Sequence, residues 1–236
     1  MRFRDRSEAG RLLAEELSSY ADRPDVLMLA LPRGGVPVAY EIAQHLHLPL
    51  DVWLVRKLGA PRIPELAIGA IASGGIETIA FDAVRRLSIT DSQLKTILSR
   101  ERQELARREV AYRGDRPPVE VRNSTVILVD DGIATGASML TAIASLRRLE
   151  PGAIVVGVPV VGAFVCSQLA READQVVCLW TPEELNSVGE WYGDFSQTSD
   201  EEVCTLLERA RQFAARLGPG LESKLESGLE SSVARP

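Results

Sequence analysis

Lysine is nearly missing from this 236-residue chain: Lys57, Lys95 and Lys224 are its only three, and arginine supplies the rest of 27 basic residues. Thirty-three acidic residues outweigh them, for a net charge of −6, which argues against a nucleic-acid partner. Apolar runs stop at five or six residues, far short of the roughly 20 that cross a bilayer, so no membrane association is expected. The start, Met1-Arg-Phe-Arg-Asp-Arg, has no apolar stretch behind its basic residues and does not read as a secretory signal. Cys166, Cys178 and Cys204 are odd in number, scattered and without metal-ligand spacing. They read as reduced core residues, and the expected location is cytoplasmic. Aromatics make up only 5% of the chain, so any cluster of them stands out.

What is present is a hydrophobic content of 45%, enough for one good core and a small accessory lobe. Short β-branched runs alternate with helical patterns, as in an α/β fold with a parallel sheet and flanking helices. The expected strands are Val26–Leu31, Leu50–Val55, Ala67–Ala72, Val126–Val129, Ile154–Val158 and Gln175–Leu179. Each is almost continuously apolar, as strands covered on both faces are. Val38, Ile42 and Leu46 mark one helix behind Pro37; Leu140, Ile143, Leu146 and Leu149 mark another, stopped by Pro151-Gly152. Asp5 to Glu8 suggests a capping box before an apolar face of Leu12, Leu13, Leu17 and Tyr20, and Ser199 to Glu202 opens a last amphipathic helix. A long charged helical insertion, about 84–114, carries a sparse stripe of Leu94, Ile97, Leu98, Leu105 and Tyr112. It is expected to lie over the surface or join a second subunit of a homo-oligomer. The organisation expected is one domain over 1–217 and a mobile serine-rich tail over 218–236.

The most informative stretch is Val126-Ile-Leu-Val-Asp-Asp-Gly-Ile-Ala-Thr-Gly-Ala-Ser138. A buried strand ends in two carboxylates, followed by a Gly/Thr/Ser loop and a helix. Backbone N–H groups at that helix start, with the hydroxyls of Thr135 and Ser138, can surround a phosphate. Asp130 and Asp131 would repel the same phosphate, so they need another partner, and a sugar diol fits. No Gly-Lys-Ser/Thr follows the glycines, which excludes a Walker A loop.

This stretch resembles the phosphoribosyl pyrophosphate (PRPP) motif of type I phosphoribosyltransferases: four hydrophobic residues, two acids, two variable residues, then Thr-Gly-x-Ser. The resemblance implies that fold, with a small hood over the acceptor. It implies that Asp130 and Asp131 hold the ribose hydroxyls, and that Gly132, Ile133, Ala134, Thr135, Gly136, Ala137 and Ser138 wrap the 5-phosphate. Pro32-Arg-Gly-Gly35 resembles the family's diphosphate loop, which points to Arg33, Gly34 and Gly35. Val55–Glu65, with Arg56 and Lys57, corresponds to its mobile catalytic loop. The implied cofactor is Mg²⁺, held by Asp130 and Asp131 largely through ligand and water. The expected catalytic groups are Asp130, Asp131, Lys57 and Arg33.

The resemblance implies transfer of phosphoribose from PRPP to a nitrogenous acceptor with release of diphosphate, in nucleotide metabolism. A PRPP- or nucleotide-sensing regulator that has kept the site without turnover is the alternative. The hood is expected over about 180–198, where four aromatics crowd, and Trp191 and Tyr192 are the expected base-stacking residues. Members acting on 6-oxopurines usually carry an acid at the position of Ala134 and a lysine in the hood. This chain has neither, and no arginine lies between Arg171 and Arg209. Glu183, Glu184, Glu190 and Asp194 instead suit an amino-bearing or cationic acceptor.

Overall fold

The structure, a computed structural model, describes residues 2–114, 116 and 119–217. The tail expected over 218–236 lies outside the described residues. Eight strands and seven α-helices form, among the described residues, two sheets. The larger is wholly parallel, in the order β2 (Leu50–Val52), β1 (Val26–Ala30), β6 (Thr125–Val129), β7 (Ala153–Val160), β8 (Gln175–Trp180). Strands β1 and β6 are buried along their whole length.

Alternate residues of these strands feed two cores. Val26, Met28 and Ala30 meet α1 (Arg6–Glu16), α2 (Gly35–Leu46) and α7 (Asp200–Leu217) on one face. Leu27 and Leu29 meet α5 (Ala137–Arg147) and α6 (Ala163–Glu172) on the other. Covered on both sides, such strands cannot present polar side chains along their length. Their chemistry is confined to their ends.

The smaller sheet was not expected. Leu50–Val55 does not continue as one strand: Trp53 turns into the core, fully buried, with its indole N–H donating to Ser145 Oγ at 2.9 Å. Beyond it, β3 (Val55–Ala60), β4 (Ile63–Ala72) and β5 (Ile76–Ile79) run antiparallel. Ala67–Ala72 therefore does not join the parallel sheet. Only Pro61-Arg62 separates β3 from β4, which suffices for a hairpin, whereas a parallel pairing needs a crossover of about a dozen residues. For the same reason Val55–Glu65 is a bulged hairpin, not a loop; the register shifts at Leu58/Gly59 and Gly59/Ala60.

The charged insertion folds as α3 (Phe81–Arg86) and α4 (Asp91–Arg113), the latter opened by a Thr90–Gln93 capping box. Ile97, Leu98, Leu105 and Tyr112 are buried, each worth about 1.5–3 kcal/mol. The helix is also pinned electrostatically. Arg113, 3% exposed, donates through Nε to Asp51 Oδ2 at 2.8 Å and through Nη2 to the Val52 carbonyl. So α4 lies over the surface as expected, with one face anchored to both sheets through Glu101 and Arg113.

Candidate active site

The carboxyl end of β6 delivers Asp130 and Asp131 beside the N-terminus of α5. Between them the loop is tied down at Ile133, 4% exposed, whose N–H donates to the Val160 carbonyl at 2.9 Å. Ala134, Thr135, Ala137 and Ser138 remain exposed around the first turn of α5. Gly136 caps that helix at φ 75°, a left-handed conformation suited to glycine. The result is an exposed loop of hydroxyls and helix-start N–H groups, the donors a phosphate cradle needs.

The Arg33-Gly34-Gly35 turn is pressed against the two acids. A β-carbon on Gly34 would stand 2.0 Å from Asp131 Oδ2, and one on Gly35 3.0 Å from Asp130 Cα. Only glycine fits there. The Pro32–Arg33 peptide is cis. Arg33 reaches outward, 4.0 Å from Asp200 Oδ1, which also accepts from the Tyr112 hydroxyl at 2.5 Å. The diphosphate-loop candidates and the diacid, about 100 residues apart in sequence, thus meet across one β1–β6 pairing.

Burial, and then the neighbouring Asp131 charge, push the Asp130 carboxyl well above the usual carboxylate range. Asp131 is also raised by burial, with Arg6 acting against the shift. Arg6, at the start of α1, donates from Nε to Asp131 Oδ2 at 2.8 Å and from Nη1 to the Ser196 carbonyl at 2.7 Å. Its guanidinium lies 4.1 Å from the Phe195 ring centroid, a cation–π contact.

Arg6 corrects the expectation of a hood without positive charge. The segment expected to form the hood packs with the chain start: Phe3 N–H donates to the Trp191 carbonyl at 2.8 Å, and Gly193 N–H donates to that of Phe3 at 2.7 Å. Tyr192 also differs from expectation. It is 3% exposed, its ring packed near Phe3 and Phe195, and its hydroxyl donates to the Asp131 carbonyl at 2.6 Å. This tyrosine props the diacid backbone and offers no open face for a base. Trp191 keeps partial exposure beside Trp180, with centroids 6.1 Å apart. Gly132 answers to the hood too, since a β-carbon there would meet Val188 Cγ1 at 2.4 Å.

On the opposite side, a cleft of about 90 Å³ is lined by Asp130, Ser138, Pro32, Trp53, Arg56 and Arg108. Arg56, on β3, donates to Glu101 Oε2 of α4 at 2.9 Å, and Glu101 is only 5% exposed. Lys57 is on the exposed side of the same strand, paired in register with Ala70. Arg108, unmarked in the sequence reading, sits seven residues beyond Glu101 and four before Tyr112, hence on one face of α4. A larger cavity, about 480 Å³, lies between the hairpin turn and the α3–α4 junction, with none of the diacid residues in its wall.

No cluster of three or more His, Cys, Asp or Glu side chains that could cage a metal occurs among the described residues. The two adjacent carboxylates are hard oxygen donors. They fit a Mg²⁺ ion that keeps waters and shares a substrate's phosphates, not a metal held by protein alone. No helix among the described residues is long and apolar enough to cross a membrane.

Comparison with known proteins agrees with this geometry. A family model described as phosphoribosyl transferase domain matches residues 6–182. Over 216 residues the chain is 41% identical to two Mycobacterium tuberculosis proteins (strains CDC 1551 and H37Rv), each named "Putative phosphoribosyl transferase". The match takes in 92% of this chain but 48% of theirs, so the chain spans about half the length of these relatives. The crystal structure of TT1426 from Thermus thermophilus superposes with a TM-score of 0.77 at 43% identity, covering 89% of this chain and 99% of that one.

Proposed function

Because this chain belongs to the phosphoribosyl transferase domain family, and to its type I class, we propose that it transfers phosphoribose from PRPP to a nitrogenous acceptor and releases diphosphate. The observation that carries the reading is the meeting of the Arg33-Gly34-Gly35 turn with Asp130 and Asp131 beside the open N-terminus of α5. In that arrangement the 5-phosphate lies in the Gly132–Ser138 loop. Asp130 and Asp131 accept from the 2- and 3-hydroxyls, which fixes C1 toward the cleft between Pro32 and Arg56. The diphosphate then lies against the Arg33 turn and the basic edge of β3, where Arg56 and Lys57 oppose its charge. Bound Mg²⁺ supplies charge neutralisation to the diphosphate as the bond to C1 breaks. Negative charge on the diacid stabilises the positive charge that develops at C1.

Burial and Asp131 push the Asp130 carboxyl up in the ligand-free protein, so the charged form this role needs depends on a bound ligand and cation to offset them. A buried acid pair at such cost is retained where a ligand with donors and a cation relieves it. The acceptor enters under the hood, and Trp191 is its nearest partly open aromatic. Poor use of hypoxanthine, guanine and xanthine follows from Ala134, which has no proton-accepting group at the head of the phosphate loop.

The test incubates the protein with Mg²⁺, PRPP and a panel of bases and amines, following diphosphate release. Acceptor-dependent release supports transfer. PRPP binding with no release against any acceptor would replace transfer with PRPP sensing.

A further inference from the structure

We infer that Arg108, carried by the long charged helix α4, is a second diphosphate-contacting cation, and the inference rests on the donor assignment above. The cleft beside the diacid, about 90 Å³, is lined both by Asp130 and Ser138 and by two cations, Arg56 and Arg108. That space suits a phosphate-sized anion. The two arginines are not equivalent. Arg56 gives two bonds to Glu101 Oε2, a carboxylate only 5% exposed, so much of its charge is already committed. Among the described residues Arg108 donates to Glu104 Oε1 at 2.8 Å, within its own helix, and Glu104 is 29% exposed. Partly exposed i,i+4 pairs on a helix surface are worth only about half a kcal/mol.

Glu104 also has a second partner, Arg107, at 2.8 Å. Arg107 first, and then Arg108, hold the Glu104 carboxyl down at about 2. When Arg108 turns to an anion, Glu104 therefore keeps a counterion. The exchange leaves no stranded charge. A guanidinium is also the right group for two oxygens of a diphosphate, because its fork can donate twice.

The backbone beneath Arg108 is fixed on both sides. Glu101, seven residues before it, ties α4 to β3, and Arg113, five residues after it, ties α4 to β2 through Asp51. One face of α4 thus bears Glu101 holding Arg56, Arg108 in the cleft, and Tyr112 holding Asp200 next to Arg33. The helix organises the cations of the diphosphate side as the diacid organises the ribose side.

Calorimetry on the full chain tests this with two separate probes, ribose 5-phosphate and inorganic diphosphate with Mg²⁺. Arg108→Gln should weaken diphosphate binding by roughly ten- to a hundredfold, the range of a hydrogen bond to a charged group. Ribose 5-phosphate affinity should stay within about twofold, since the Arg108–Glu104 pair lies within α4 and its loss leaves the ribose side intact. Arg107→Gln should change neither, and Arg108→Lys should recover part of the loss. Diphosphate binding by Arg108→Gln equal to wild type would overturn the inference and leave the donor assignment standing. Parallel loss of both probes with a lower melting temperature would make Arg108 a structural residue and overturn it equally. A wild-type protein that binds neither probe would remove the donor assignment, and this inference with it.

Discussion

The two sheets treat charge in opposite ways. In the parallel sheet β1 and β6 are buried along their length and carry no ionisable side chain; Asp130, Asp131 and Arg33 follow strand ends, and Asp51 within β2 is matched by Arg113. In the antiparallel sheet charge sits within a strand: Arg56 and Lys57 lie inside β3, and Ile63 and Leu66 of β4 are 52% and 43% exposed. A strand covered on both faces fixes its terminal residues tightly, so the diacid, the proposed ribose half of the site, is held by the core itself. A half-covered, bulged hairpin gives its cations less support, and a partner must supply it. Here the partner is α4, through Glu101.

That contrast can be broken most strongly at Arg113. Its guanidinium is 3% exposed against Asp51, and replacing it with alanine strands a buried carboxylate, at a cost of about 3–5 kcal/mol. Urea unfolding should show the loss; a midpoint like that of wild type would mean that α4 is not anchored this way. On the ribose side the most damaging change is steric. Gly34→Ala drives a methyl into Asp131; it should weaken PRPP binding and lower turnover by about 10²-fold, as an ångström-scale misplacement does. Retained affinity would separate the glycine turn from the diacid.

Lys57 sharpens the difference between the halves. Lys57→Ala should reduce turnover by roughly 10- to 100-fold while ribose 5-phosphate binding holds, because a contact to the departing group appears in the rate. Equal loss in both would assign Lys57 to the fold. The mildest effect concerns stability alone. The Asp130 carboxyl is raised by burial and by Asp131, so the folded state binds its proton more tightly than the unfolded chain does. The contribution of that proton is complete below the ordinary value near 3.8 and is lost as pH rises toward the raised one. Asp130→Asn should therefore raise the melting temperature at neutral pH even as it damages binding, with a larger gain at pH 8 than at pH 5. A lower melting temperature at pH 8 would contradict the raised carboxyl.

The parallel sheet was legible because its strands are almost continuously apolar, and the diacid loop because two acids and a Thr/Gly/Ser turn follow one of them directly. The hairpin was not, since glycine, proline and basic residues inside a bulged strand look like a loop. Arg6 was out of reach for another reason: it meets Asp131 across 125 residues, a contact that only the docking of α1 and the hood creates. Nor does sequence tell which of two adjacent aromatics turns inward, and Tyr192 did so to cap a backbone carbonyl. Arg108 did leave a signal, the spacing Glu101–Arg108–Tyr112 on one helical face, but in a helix so rich in charge that spacing does not stand out.

The central claim is that the β6–α5 diacid loop binds a 5-phosphorylated ribose. Calorimetric titration of ribose 5-phosphate into wild type and into Asp130→Asn/Asp131→Asn tests it most directly. Saturable one-site binding to wild type, weakened by about 10²-fold or more in the double variant, is the result expected from the loss of two hydrogen bonds to charged acceptors. Undiminished affinity in the double variant would contradict the account.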